Sequence, residues 1–113
     1  MTTNATSVVT LSADEIGALV WEPLAQIGSG VRHQVLWRTG DSLVGIMEIG
    51  EGGRVESHAH QQAHHHLWII EGHIAVLGSV VGPGSYVHLP AGVDHDLVST
   101  AGACRFLYTY LKP

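Results

Sequence analysis

Six of the nine histidines in this 113-residue chain fall between His58 and His73. Neutral imidazole is a good ligand for zinc, copper, iron and nickel, so a histidine-rich tract within a folded pattern reads first as a metal site. His58 and His60 are separated only by Ala59. Side chains alternate along a strand, so the two would share a face and grip an ion from one side. The run His64-His65-His66 offers a further ligand. Alternation groups His65 with Leu67 and Ile69, and His64 and His66 with Trp68 and Ile70. Both groups are apolar, so periodicity leaves the choice between them open. It does imply a strand covered on both faces, and an outer face bearing Trp68 and Ile70 suggests contact with a second subunit. His33 and His73 read as surface residues, whereas His88 could face either way.

The elements that must position these residues are β-strands. Short runs of Val, Ile, Leu, Tyr and Trp alternate with turn clusters, the rhythm of a sandwich or barrel. The pattern predicts strands over 20–24, 31–37, 43–49, 54–60, 64–70, 73–78, 80–81, 85–89, 95–99 and 103–111. Thr39-Gly40-Asp41 marks a hairpin, and Gly50-Glu51-Gly52-Gly53 marks a turn between the third and fourth runs. Upstream, residues 1–17 read as an arm with a single helical turn. Ser12 and Glu15 form a capping box and Gly17 stops the helix. The fourteen glycines suit a barrel that bends its strands at corners. The expected architecture is all-β, one domain over 1–113, with less than about 15% helix.

The spacing of glycines, prolines and histidines resembles the cupin superfamily. Its first motif, G-x5-H-x-H-x(3,4)-E-x6-G, aligns with Gly52, His58, His60, His65 and Gly72. Its second, G-x5-P-x-G-x2-H-x3-N, aligns with Gly84, Pro90, Gly92 and His95, with Ser99 in place of the asparagine. Both motifs lie within 52–99, and the short segment between them is typical of compact bacterial cupins. The resemblance implies a double-stranded β-helix, or jelly-roll barrel. It also implies that His65, rather than His64 or His66, takes the ligand position inside the barrel. The metal ligands it implies are His58, His60, His65 and His95, around one divalent transition metal: Fe, Mn, Ni, Cu or Zn. The chain departs from the family in carrying His65 where glutamate is usual. Four neutral imidazoles leave the +2 charge of an ion uncancelled, which favours polarisation of a bound oxygen ligand. On an octahedral ion such a set leaves two positions open, whereas on tetrahedral zinc it closes the site.

Three functions follow from that reading. The first is a metal-dependent enzyme, for example a non-haem dioxygenase acting on a small oxygen-chelating substrate. The second is a metal-dependent isomerase or lyase. The third is a non-catalytic cupin that senses a metal or small ligand. Glu48 and Glu56, placed near the barrel mouth, are candidate general bases. Asp94 and Asp96, which bracket His95, read as solvated carboxylates. Met47, Trp37, Phe106 and Tyr108 read as barrel fillers, and Cys104 as a small buried core residue.

Composition removes other classes. The chain is 45% hydrophobic and 13% charged, with a net charge of -5 and five scattered Lys and Arg residues. It has no basic footprint for nucleic acid. No apolar run approaches the roughly 20 residues that span a bilayer, and Met1 to Thr10 lacks the charge and apolar pattern of a signal peptide. A single cysteine fits a reducing cytoplasm. No nucleotide loop or Ser-His-Asp set is present. The expected partners are a small-molecule substrate or ligand and a second copy of the chain, as a homodimer, with neither nucleic acid nor membrane.

Overall fold

The computed structural model describes residues 8–58, 64–93 and 95–111, with backbone alone at 57, 58 and 95. One short helix, α1 (Ala13–Gly17), precedes nine strands. These are β1 (Glu22–Pro23), β2 (Gly28–Thr39), β3 (Ser42–His58), β4 (His64–Glu71), β5 (Ile74–Val76), β6 (Ser79–Val81), β7 (Tyr86–Leu89), β8 (His95–Ser99) and β9 (Cys104–Leu111). The pairings among them are all antiparallel. The strands form a curled sheet in the order β6-β5-β8-β3-β9-β4-β7, with β2 and β1 added beside β3. Among the described residues no helix is long and apolar enough to cross a membrane.

β3 is the spine of this sheet. The sequence pattern divides it into two strands at Gly50-Glu51-Gly52-Gly53, but the chain runs through as one strand of 17 residues. Those glycines instead mark the place where β3 changes partner. Residues 43–49 pair with β9, whereas Arg54, Val55 and His58 pair with β8. The change needs a bend, and Gly52 supplies it at φ +75°, a conformation that costs glycine little. Bare backbone at Gly28 and Gly53 lets β2 follow the bend closely. A Cβ on Gly53 would lie 2.7 Å from the Ser29 carbonyl oxygen.

The N-terminal arm docks through polar contacts. The Ser12 hydroxyl accepts from the Glu15 amide at 3.1 Å, and the Glu15 carboxylate accepts from the Ser12 amide at 3.2 Å. At the other end of α1, the buried Gln34 side chain donates to the carbonyls of Ile16 and Leu19. Orphan groups at both helix ends are thus satisfied. Of the predicted strand over 20–24 only Glu22–Pro23 forms, paired with Arg32 and His33. Trp37 does not fill the barrel. An irregularity between Val35 and Trp37 breaks the alternation of β2, and Trp37 lies half-buried against Val9, Leu11 and Ile16.

The core fills the inside of the curl. Ile49, Ile69, Ile74, Cys104 and Phe106 are completely buried, with Val55, Leu67, Leu89 and Leu97 nearly so. They come from alternate positions of β3, β4, β5, β7, β8 and β9, as a half-covered strand requires. The buried Cys104 thiol has its pKa raised, chiefly by burial, so it is held as an unreactive thiol.

Candidate functional site

Inside the curl, next to this core, lies a cavity of about 180 Å³. Its walls are mainly hydrocarbon, from side chains such as Met47, Val55, Leu67, Leu97 and Phe106. Four lining residues carry polar atoms: His33, His65, Tyr108 and Tyr110. These come from β2, β4 and β9.

His65 is on the inward face of β4. Its neighbours Leu67 and Ile69 are buried, whereas Trp68 and Ile70 on the other face are about half exposed. The Nε2 atom of His65 is itself buried, and the ring meets Tyr110 edge-on at 5.1 Å between centroids. Tertiary packing thereby selects between the two apolar faces that alternation could not distinguish. His58 and His95 are backbone partners across β3 and β8. His95 stands two residues before Leu97, and His58 three after Val55, both of which line the cavity. His60 and Asp94 lie outside the described residues, and so does any arrangement of the four expected ligands as a set. Among the described residues no three His, Cys, Asp or Glu side chains are placed to hold a metal.

His64 and His66 turn outward. There they form a stack with His88, with ring centroids 5.4 Å apart for His64–His88 and 4.7 Å for His66–His88. The Tyr86 hydroxyl is 2.7 Å from His66 Nδ1. His73 is exposed.

Glu48 is not at the mouth of the barrel. It sits on the outer face of β3, clamped by Arg32 at 2.8 Å and Arg105 at 2.7 Å, and both guanidiniums lie over the Trp21 ring. Burial pushes the Glu48 carboxyl up, but the bonds and charges of the two arginines outweigh it and hold its pKa below the usual range. A carboxylate so committed is a structural anion rather than a general base. Glu56, by contrast, is exposed, near Arg54 at 3.7 Å. Asp96 accepts from Arg54 at 3.3 Å.

His33, expected at the surface, is instead 6% exposed. Its Nδ1 is 2.5 Å from the Tyr108 hydroxyl, and its Nε2 is 3.8 Å from the Glu22 carboxylate. Burial lowers its pKa, helped by the Arg38 charge and opposed by Glu22. Burial also raises the Tyr108 pKa far above its ordinary value. The signal for this pair was in the sequence: Val31, His33 and Val35 alternate with Arg32 and Gln34, and Cys104, Phe106 and Tyr108 fall on one face of their strand. Each pattern puts a polar ring on an apolar face.

A curled antiparallel sheet around an apolar cavity, with a histidine-bearing strand facing inward, is the architecture of a jelly-roll barrel of the cupin kind. The profile of the ChrR cupin-like domain family matches residues 10–113, and the chain belongs to that family. Among solved structures, the fold is similar to that of the polyketide cyclase RemF from Streptomyces resistomycificus. That match has a TM-score of 0.79 and 19% identity, over 92% of this chain and 82% of that one. A predicted oxalate decarboxylase from Thermotoga maritima matches with a TM-score of 0.76 and 18% identity, over 86% of this chain and 96% of that one. The complex of Rhodobacter sphaeroides SigE with the anti-sigma ChrR matches with a TM-score of 0.73 and 23% identity. Here 88% of this chain covers 54% of that one. At these identities the likeness shows the fold. No curated protein sequence matches significantly.

Proposed function

We propose that this chain is a metal-dependent cupin enzyme that acts on a small oxygen-chelating substrate held in the interior cavity. The ion would be one divalent transition metal, Fe, Mn, Ni, Cu or Zn, held by His58, His60, His65 and His95. The observation that carries this reading is the inward His65, with its Nε2 buried in a hydrocarbon wall. The donor set suits such an ion, since imidazole is a good ligand for Zn, Cu, Fe and Ni. When bound, the ion supplies Lewis-acid polarisation of an oxygen ligand, with no carboxylate among these four residues to cancel its charge. The chain's own residues do the rest. Tyr110 packs edge-on against His65 and limits its ring orientation. Met47, Leu67 and Phe106 exclude water and strengthen electrostatic interactions inside. An apolar cavity of about 150 Å³ takes up benzene, so about 180 Å³ admits one ring-sized molecule. β-Dicarbonyls, hydroxyketones and catechol-like acids fit this size and chemistry.

The test is elemental analysis of protein purified without a metal column, followed by O2 uptake and product analysis on such compounds. We expect about one ion per chain, lost on substitution of His58, His60, His65 or His95 by alanine and kept in His73→Ala. Loss of metal in His64→Ala or His66→Ala with retention in His65→Ala would refute the assignment.

A second reading is favoured by the family match: a non-catalytic domain that binds a metal or small ligand and acts through a protein partner. It would be supported by full metal occupancy with no turnover of any compound in the panel. In either reading the chain acts in the cytoplasm as a homodimer. The outer apolar face, where Trp68 is 52%, Ile70 46% and Tyr86 57% exposed, supports that assembly. Trp68→Glu is expected to shift a sedimenting dimer to monomer, and a monomeric wild-type protein at high concentration would refute it.

A further inference from the structure

We propose that Glu22, His33 and Tyr108 form a proton relay from the protein surface into the cavity, and that Tyr108 and His33 are the acid–base residues for the bound substrate. This rests on the cavity being the substrate site. The relay itself is built from residues outside the metal ligand set.

Three features of the fold point to it. The first is continuity. Glu22 is 57% exposed at its side chain and stands opposite His33 in the β1–β2 register. His33 in turn contacts the Tyr108 hydroxyl, and both rings line the cavity. One end of the chain of groups is in water and the other faces the ligand space.

The second is direction. The Glu22 carboxylate stands 3.8 Å from His33 Nε2, an ion-pair rather than a hydrogen-bond distance, and its negative charge on that side favours the His33 tautomer with its proton on Nε2. Nδ1 then accepts from the Tyr108 hydroxyl. This is the arrangement in which a carboxylate orients an imidazole that serves as base for a hydroxyl group.

The third is the space made for the pair. β3 runs between β2 and β9, and the residue paired with both Val35 and Tyr108 is Gly45. A Cβ there would lie 2.9 Å from the Tyr108 ring and 2.7 Å from the Gln34 carbonyl oxygen. A glycine in mid-strand weakens a sheet. Here it lets the tyrosine ring lie across the strand toward His33. The two rings are stacked, with centroids 6.0 Å apart.

The proton balance is simple. A substrate with an acidic C–H or O–H gives its proton to the Tyr108 oxygen as the Tyr108 proton moves to His33 Nδ1. The electron pair of the broken bond stays on the substrate as an enolate or phenolate. The imidazolium is held by Glu22, and no free tyrosinate is formed. Return of a proton along the same path to another substrate atom completes an isomerisation; release of the Nε2 proton through Glu22 to water completes a net deprotonation and leaves His33 protonated on Nδ1, from which proton exchange with water restores the Nε2–H tautomer. Neither outcome needs an oxidant or other co-reactant. The substrate class is therefore a ring-sized compound with an enolisable or phenolic proton.

The test uses 2-hydroxyacetophenone, a hydroxyketone with one ring. The loss of its α-proton signal in D2O is followed by NMR with the full-length protein as purified, and the metal content of every sample is measured. We expect the wild-type protein to accelerate exchange. Tyr108→Phe, which keeps the ring, and Glu22→Gln, on the surface, are each expected to slow it by about tenfold or more at unchanged metal content. The independent readout is the ring-nitrogen chemical shifts of His33, which should report the Nε2–H tautomer in the wild type and lose that preference in Glu22→Gln. The relay is overturned if the wild type gives no acceleration, if both variants exchange at the wild-type rate, or if His33 carries its proton on Nδ1. Exchange that depends on Tyr108 in a protein without metal would sustain the relay and sink the metal reading. Full metal with exchange indifferent to both variants would do the reverse.

Discussion

Gly45→Ala probes the geometry on which the cavity depends. The added Cβ would stand 2.7 Å from the Gln34 carbonyl oxygen, 2.9 Å from Tyr108 Cε1 and 3.3 Å from Cζ. Neither neighbour can give way cheaply. The carbonyl belongs to the β2–β3 ladder, and the Tyr108 ring is 4% exposed and bonded to His33. Inserting one carbon into a packed interior costs about 1–3 kcal/mol. Alanine also restricts the unfolded chain and so offsets about 0.5–1 kcal/mol. The net loss lies between about 0 and 2.5 kcal/mol, centred near about 1 kcal/mol. At about 2.1 cal/mol/K per residue, the unfolding entropy of 113 residues is roughly 240 cal/mol/K, so Tm should fall by roughly 5 °C and by no more than about 10 °C. Calorimetry and urea titration measure this. Gly17→Ala, whose Cβ meets nothing within 4 Å, is the control and should lose nothing. The two substitutions Gly45→Ala and Tyr108→Leu should be non-additive, because the smaller side chain removes the ring atoms that clash. A Gly45→Ala protein as stable as the wild type, with the His33 tautomer unchanged, would refute this account of the site.

Three further outcomes are expected. Burial lowers the His33 pKa, so the folded state binds that proton less tightly than the unfolded chain. Its contribution to stability is complete above about pH 6.5 and is lost as pH falls from there through the lowered folded value. A His33→Gln protein should show a flatter stability profile across that window in urea titrations at stepped pH. Apparent metal affinity should also fall below about pH 6.5, with a slope of several protons, because each imidazole ligand must be neutral. Full occupancy against a chelator near pH 5 would count against four imidazoles. Glu48→Ala leaves Arg32 and Arg105 facing each other over Trp21 and should cost about 1–2 kcal/mol, discounted for the half-exposed arginines. High salt should shrink the difference, and no change in the urea midpoint would show that the pair contributes nothing.

Local chemistry was legible in the sequence. The capping box at Ser12 and Glu15, the hairpin at Gly40-Asp41 and most strands follow from short-range rules of turn and alternation. The spacing of Gly52, His58, His60, His65, Gly72, Gly84, Pro90, Gly92 and His95 was enough for the cupin resemblance, because the corners of a barrel and the inward positions of its strands recur at fixed intervals along the chain. What alternation along one strand could not provide was the side of the sheet on which each residue lies. β4 is apolar on both faces, and only its placement between β9 and β7 turns His65 inward and His64 and His66 outward. The continuity of β3 through four turn-like residues likewise depends on its partners, since it exchanges β9 for β8 there. Glu48 looked free in one dimension. Arg32 and Arg105, 16 and 57 residues away, claim it in three. His33 looked like a surface residue because its partners Glu22 and Tyr108 come from strands on either side of it. A buried polar ring is identified by the groups that satisfy it, and those are set by tertiary contacts between segments distant in the chain.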